Sequence, residues 1–468
     1  MNRKRLFPLL VVLALISTAG AQELTGSWQG ALEVMGAKLR LVFNFEQSDS
    51  GWTALLDSPD QGAKGIPCGQ VRTPADSLIV EVPVVHGSYL ALYSPDSLRY
   101  DGVWRQGGLE LPLQLVKSDQ PVQMNRPQEP RPPFPYRSEE VTIPNKRAGL
   151  TLAGTLTLPE GEGRHPAVIL ITGSGAQNRD EAIMGHRPFW VIADHLSRSG
   201  FAVLRCDDRG TGASTGDIAS ATSLDFAGDV AAQVDALVRR PDIDKKRIIL
   251  AGHSEGGLIA PMVAAKNKKI AGIILLAGPG VTGEKIMLAQ GELIGRAAGQ
   301  DEATVKQNRR IQEILFAIMK EGGEGLEEKL RAAMAAQRSE MSASEQAAMT
   351  DQLINMQIKQ LASPWFRFFL THDPAPVLRK VKCPVLALNG ELDLQVPADE
   401  NLAAIASALH AGGNKRFETH KLYGLNHLFQ TAKTGGVDEY SRIEETFSPR
   451  ALELMTNWLA RDFYTLMP

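Results

Sequence analysis

A stretch of thirteen residues, 246–258, constrains this chain more than any other. Residues 248–251 (Ile-Ile-Leu-Ala) make an apolar run of the length of a buried strand, and an Ala/Val-rich segment of helical character follows Leu258. Between them stands Gly252-His253-Ser254-Glu255-Gly256, a G-x-S-x-G pattern in the strand-to-helix context that gives it meaning. A tight turn of this kind holds Ser254 in a strained conformation with its hydroxyl exposed. Glycine at 252 and 256 removes the Cβ atoms that would collide where strand and helix cross. The helix N-terminus behind Ser254 aims backbone N–H groups and a positive dipole end at any oxyanion formed there. The same letters also fit an ordinary glycine-rich turn, so the rest of the chain must decide.

Around this stretch the pattern alternates strand and helix. Val141 and Ile143, then Leu150, Leu152, Leu156 and Leu158, alternate as the strands of a hairpin. Residues 167–171 and 201–205 read as strands, 189–198 as a helix between them. Phe226, Val230, Val234 and Leu237 mark one face of a further helix, opened by a capping box at Thr222 and Asp225. Residues 270–277 and 384–389 continue the strands, and 416–423 reads as the last. A mostly parallel sheet with helices on both faces is the expected solution. Residues 280–377 interrupt it with helical spacings such as Ile311, Ile314, Leu315 and Ile318. An insertion there lies over the edge where open α/β sheets bind ligands and is expected to be a lid, with a surface appendage as the alternative.

Ahead of this unit, residues 22–117 carry short alternating runs punctuated by Gly, Asp, Ser and Pro, which predicts a small all-β barrel or sandwich. A proline-rich connector of extended path, residues 118–138, joins the two. Residues 1–21, with Arg3, Lys4 and Arg5, a short apolar run and Ala19-Gly20-Ala21, read as a cleaved signal peptide, which places the mature chain in the periplasm or outside the cell. Loss of three cations leaves 47 basic against 53 acidic residues, without a basic stripe for nucleic acid. No later segment is apolar enough for stable membrane insertion. Cys68, Cys206 and Cys383 are too few for a disulfide framework, show no metal-ligand spacing, and read as small buried thiols.

A nucleophilic serine needs an imidazole to take its proton and a carboxylate to orient that imidazole. Asp393 follows the penultimate predicted strand and His427 the last, so both reach the sheet edge that bears Ser254, in the order Ser, Asp, His. Glu391 is the alternative carboxylate. His253 reads as structural, and Asp207, Asp208 and Arg209 as fixing a loop. Asn178, Arg179, Asp180 and His186 either line a pocket or build the loop.

Together, Gly173-Ser174-Gly175, Asp207 to Gly212 with Ser214, the Ser254 turn, residues 383–393 and Gly424-Leu425-Asn426-His427 resemble the α/β-hydrolase superfamily over residues 139–468. Within it the chain looks like secreted bacterial esterases of the serine-aminopeptidase-like (S33-type) group, in which a small β domain precedes the hydrolase. The resemblance implies Ser254 as nucleophile, His427 as base and then acid, Asp393 as its partner, and an oxyanion hole from the N–H groups of Glu255 and Ser174 with Gly175 close by. Many relatives have His-Gly where this chain has Thr172-Gly173, which leaves the second donor open. It implies a small-molecule acyl ester as substrate, cleaved without metal or organic cofactor. A serine peptidase or a thioesterase is the nearest alternative, and a glycan- or surface-binding protein with an inert hydrolase unit the alternative of another class.

Overall fold

The computed structural model describes residues 24–463, apart from residues 35–36, 49–50, 62, 119–124, 340, 342–345 and 347–348. The expected signal peptide and its cleavage site lie outside the described residues.

Two sheets form, each with its own core. The first contains β1 (Gly26–Val34), β2 (Ala37–Ser48), β3 (Gly51–Ser58), β4 (Ala63–Pro67), β5 (Val71–Arg72), β6 (Ser77–Val82), β7 (Gly87–Ser94), β8 (Arg99–Gln106) and β9 (Leu109–Ser118). Their order is β4-β3-β2-β1-β9-β8-β7-β6-β5. Period-two alternation turns Phe43 and Phe45, Leu78, Val80 and Val82, and Leu113 and Leu115 into one core with Trp28, Tyr89 and Trp104. The sheet curls until its ends nearly meet. Cys68 N–H donates to Ala54 O beyond one edge and Gly69 N–H to Glu81 O beyond the other, so this segment spans the seam of a barrel-like domain.

The second sheet has the order β10-β11-β13-β12-β14-β15-β16-β17. Its strands are β10 (Tyr136–Asn145), β11 (Leu150–Pro159), β12 (His165–Ile171), β13 (Ala202–Cys206), β14 (Ile243–His253), β15 (Ile270–Leu276), β16 (Val385–Gly390) and β17 (Phe417–Leu422). It is mixed rather than mostly parallel. β10 with β11, and β11 with β13, are antiparallel ladders, and only from β13 onward is every pairing parallel. The reason is connection length. The links from β10 to β11 and from β11 to β12 hold too few residues for a helical crossover, which a parallel neighbour requires.

The parallel strands are continuous apolar runs because both faces are covered. Ala167, Ile169, Ile171, Ile248 and Leu250 face one core; Val168, Leu170, Ile249 and Ala251 face the other. Helices α2 (Ser223–Val238) and α3 (Glu255–Ala264) cover the first face, while α1 (Pro188–Arg198) covers the second. Between β15 and β16 the chain leaves the sheet to form α4 (Gly283–Ala297), α5 (Glu302–Glu321), α6 (Leu326–Ser339), α7 (Asp351–Ala362) and α8 (Pro364–Thr371), which share a core of Leu315, Phe316, Leu330, Ile358 and Phe366. A short helix, α9 (Ala375–Leu378), leads back into the sheet. α10 (Ala398–Ala411) crosses from β16 to β17, and α11 (Val437–Tyr440) and α12 (Pro449–Phe463) close the described chain.

The connector docks on the second unit. The Arg126 guanidinium, 7% exposed, donates to the backbone carbonyls of Met184, Gly185, Ser441 and Ile443. Gln128 exchanges hydrogen bonds with the backbone of Thr446 and Phe447.

Candidate active site

The end of β14 turns directly into α3, and the whole change of direction falls on Ser254. Its backbone sits at φ 51° and ψ −116°, a left-handed conformation that costs a non-glycine residue about 1–3 kcal/mol. The turn is held by Ser254 N–H donating to Leu276 O (2.8 Å) and Gly257 N–H to Ser254 O (2.9 Å). No side chain fits at its flanks. A Cβ on Gly252 would lie 2.7 Å from Gly257 N and closer still to the Gly256 carbonyl; one on Gly256 would lie 2.8 Å from Ile171 C and Thr172 O. The packing of β12, β14 and α3 thus requires both glycines.

β16 and β17 end on the same edge. Asp393, three residues beyond β16, is 3% exposed, and His427, in the loop after β17, is 4% exposed. His427 Nδ1 and Asp393 Oδ2 are 2.8 Å apart. Asp393 Oδ1 accepts the N–H groups of Gln395 and Val396, each at 2.8 Å, which fixes the carboxyl with Oδ2 toward the ring. In the tautomer that donates Nδ1–H to Oδ2, Nε2 is left as the accepting nitrogen. Glu391, the other carboxylate on this loop, turns away and accepts from Gly424 N–H. The Ser254 hydroxyl makes no hydrogen bond among the described residues, and such a bond commonly tightens only once substrate is bound.

On the other side of the turn, Gly173 N–H donates to Glu181 Oε1 (2.7 Å). That donor is taken, and the N–H of Ser174 is the next along the loop, with Gly175 beyond it at φ 98°. Glu255 begins α3, so its N–H belongs to the first helical turn and has no intrahelical acceptor. The side chain of Glu255 is 3% exposed and points away from solvent. Its Oε1 accepts from Ser223 Oγ (2.5 Å) and from Trp365 Nε1 of α8 (2.8 Å). Burial pushes its carboxyl above the usual carboxylate range, against the pull of those two donors. Around Trp365, α8 packs on α3: Phe369 stacks on the indole at 5.4 Å and joins Leu258, Met262 and Ile286 in one apolar cluster. The insertion therefore touches the residue next to Ser254.

The remaining candidates are framework. Asn178 Oδ1 accepts the N–H groups of Asp180 and Ala182; Arg179 binds Asp207, Glu140 and Thr155; Asp180 pairs with Arg205. Asp208 accepts from Thr172 Oγ1 (2.7 Å) and Gln177 N–H (3.0 Å), and Arg209 binds Asp229 (2.7 Å). His186 is 1% exposed between Thr446 and Tyr440 O, and burial and Arg126 hold it down to about 4. Glu181 and Trp365 carried no motif that singled them out in the sequence. A buried Glu at a left-handed backbone position (φ 50°) becomes visible only in the fold. Among the described residues no cluster of His, Cys, Asp or Glu is arranged to hold a metal ion, and no helix is long and apolar enough to cross a membrane.

The strand order, the strained serine turn after a central parallel strand and the edge that gathers Asp393 and His427 define an α/β-hydrolase fold. A family model described as serine aminopeptidase, S33 matches residues 189–418, from α1 into β17. The chain is similar to Esterase EstD of Thermotoga maritima, 30% identical over 155 residues, which is 33% of this chain and 35% of that protein. It is similar as well to the uncharacterized protein PA2218 of Pseudomonas aeruginosa, 28% identical over 172 residues (36% and 42% of the two chains). The matches thus span between a third and a half of these relatives' lengths. Among solved structures, the Pyrococcus furiosus esterase Pf2001 aligns with a TM-score of 0.42 at 17% identity, over 70% of this chain and 93% of that one.

Proposed function

We propose that the protein is an exported serine hydrolase that cleaves carboxylic esters through an acyl-enzyme intermediate. One observation carries the reading: a serine in a left-handed turn at a helix N-terminus shares a sheet edge with a histidine whose Nδ1 is committed to a buried carboxylate. In this reading His427 Nε2 takes the Ser254 proton as Oγ attacks the acyl carbon. The tetrahedral oxyanion forms against the N–H groups of Glu255 and Ser174, with Gly175 keeping the loop clear of it. His427 then gives its proton to the leaving alkoxide. Water, deprotonated by the same nitrogen, releases the acid and restores Ser254. Asp393 holds the imidazole in its tautomer and stabilises the imidazolium. The helices of residues 280–377 act as a lid, the domain of residues 22–117 is an accessory unit, and residues 1–21 direct export to the periplasm or beyond. No step requires a cofactor.

The named similarity to an esterase supports an ester over an amide, and so does Glu255. A peptidase that grips a substrate ammonium needs a carboxylate with a free face, whereas Glu255 is buried between Ser223 and Trp365. The family description favours a serine peptidase as the second reading. The test is hydrolysis of p-nitrophenyl esters of graded acyl length beside aminoacyl p-nitroanilides, with Ser254→Ala as control. Ester turnover that disappears in the variant is the expected result. Dominant anilide cleavage moves the protein to the peptidases. Silence on both, without fluorophosphonate labelling of Ser254, leaves a binding protein with an inert hydrolase unit.

A further inference from the structure

Behind the serine turn a second hydrogen-bonded line runs through two residues that ester hydrolysis leaves unused. Glu181 is 4% exposed and His253 6%. Glu181 Oε1 accepts Gly173 N–H at 2.7 Å and stands 3.0 Å from His253 Nδ1. His253 Nε2 stands 3.0 Å from the backbone carbonyl of His427. A carbonyl only accepts, so Nε2 carries a proton. A carboxylate oxygen facing a bare Nδ1 would set two acceptors against each other, so a second proton lies between them. Taken as an imidazolium and a carboxylate, the pair is neutral as a unit, which is how a buried charge is tolerated.

The surroundings agree. Pro188, Phe189, Leu276, Leu428 and Phe447 wall the same space, and the charged or titratable groups facing His253 are Glu181, Asp393 and the His427 ring, whose centroid is 4.9 Å away. Burial alone lowers the His253 imidazole, but the Glu181 carboxylate outweighs it and holds the ring above its ordinary value. Glu181 reaches this place only by adopting a left-handed backbone, φ 50°. Strain of this kind persists where the surroundings enforce it.

We propose that Glu181 and His253 are positioning residues, a buried carboxylate–imidazolium clamp. It ties the Gly173 loop, the turn before Ser254 and the loop bearing His427 into one register, and sets a fixed positive charge beside the His427 ring. Its kinetic consequences rest on the hydrolase reading. A standing imidazolium 4.9 Å from the His427 ring is fixed in place before substrate arrives.

The test uses the full chain, labelled with 15N-histidine. At about pH 8, far above the ordinary histidine value of about 6.5, one ring remains doubly protonated. That signal vanishes in His253→Gln and in Glu181→Gln and persists in Glu181→Asp. Glu181→Gln lowers kcat about 10- to 100-fold with KM within about twofold. Glu181→Asp, which keeps the carboxylate, returns kcat toward its original value. The absence of any doubly protonated ring in the unmutated protein overturns the clamp, whether or not the variants fold. So does a folded Glu181→Gln with unchanged kcat. If the unmutated protein cleaves no ester, the hydrolase reading fails, and the spectrum still decides the clamp.

Discussion

Trp365 is a point at which the helical insertion grips the core, and its replacement by Phe is the most informative perturbation of that contact. Phe keeps a ring to stack on Phe369, now 5.4 Å away and nearly parallel (5°), and removes only the indole N–H. That N–H is one of two donors to Glu255 Oε1, the other being Ser223 Oγ. Taking one partner from a buried acceptor costs about 1–3 kcal/mol. The contact joins α8 to α3, so if the insertion acts as the proposed lid, the loss falls on its equilibrium between seated and lifted states, which shifts by about 5- to 150-fold. Hydrogen exchange resolved by peptide reads this directly. In Trp365→Phe, amides of α8 exchange faster by that factor while those of β12 and β14 do not, and kcat for esters falls with the share of chains whose insertion is lifted. Unchanged exchange in α8, within about twofold of the unmutated protein, would refute the assignment of this hydrogen bond as the latch. Equal acceleration in β12 and β14 would show that the bond supports the whole fold instead.

Three other outcomes follow from the same structure. Gly256→Ala drives a Cβ into the backbone of Ile171 and Thr172, so it costs about 3 kcal/mol or more in a urea titration and abolishes fluorophosphonate labelling of Ser254. Asp208 is pushed up to about 7 by burial, against the hydrogen bonds from Thr172 and Gln177. The native chain then keeps a proton that the unfolded chain releases near about 3.9. Asp208 contributes its full stability below that value and loses it as pH rises through about 7, so Asp208→Asn flattens the denaturation midpoint across that window. Burial also raises the thiols, Cys68 to about 12 and Cys383 to about 11, with Cys206 raised as well. All three are free. The native protein therefore reacts with a thiol reagent at about pH 8 at least ~100-fold more slowly than a free cysteine, and unfolding releases three fast thiols. One fast-reacting thiol in the native protein contradicts this.

The sequence is informative where local chemistry and long-range geometry demand the same residues. The Ser254 turn needs its glycines for packing, and strands buried on both faces must be continuous apolar runs, so both were visible in one dimension. The strand ends that bring Asp393 and His427 together follow from the order of elements. Pairing direction at the sheet's edge was less legible. The alternation of Leu150 to Leu158 predicts a hairpin, but its place in the sheet, with β11 beside β13, depends on which neighbour β11 chooses. The residues that sequence reasoning missed share one property. Glu181 and Trp365 act through partners 72 and 110 positions away, and nothing in their own neighbourhoods marks them.

Arg126 has a bearing on how this protein can be taken apart. By position it belongs to the stretch between two domains; by bonding it belongs to the second, where one side chain closes four carbonyls from two loops of the α/β unit. The α/β unit cut at Tyr136, the start of its first strand, would leave those carbonyls and the backbone N–H groups of Thr446 and Phe447 without their partners. Modularity here has an edge that strand boundaries misplace. Any exchange of the barrel-like domain for another module, by engineering or by recombination, has to carry Arg126 and Gln128 with the α/β unit as an inherited part of it.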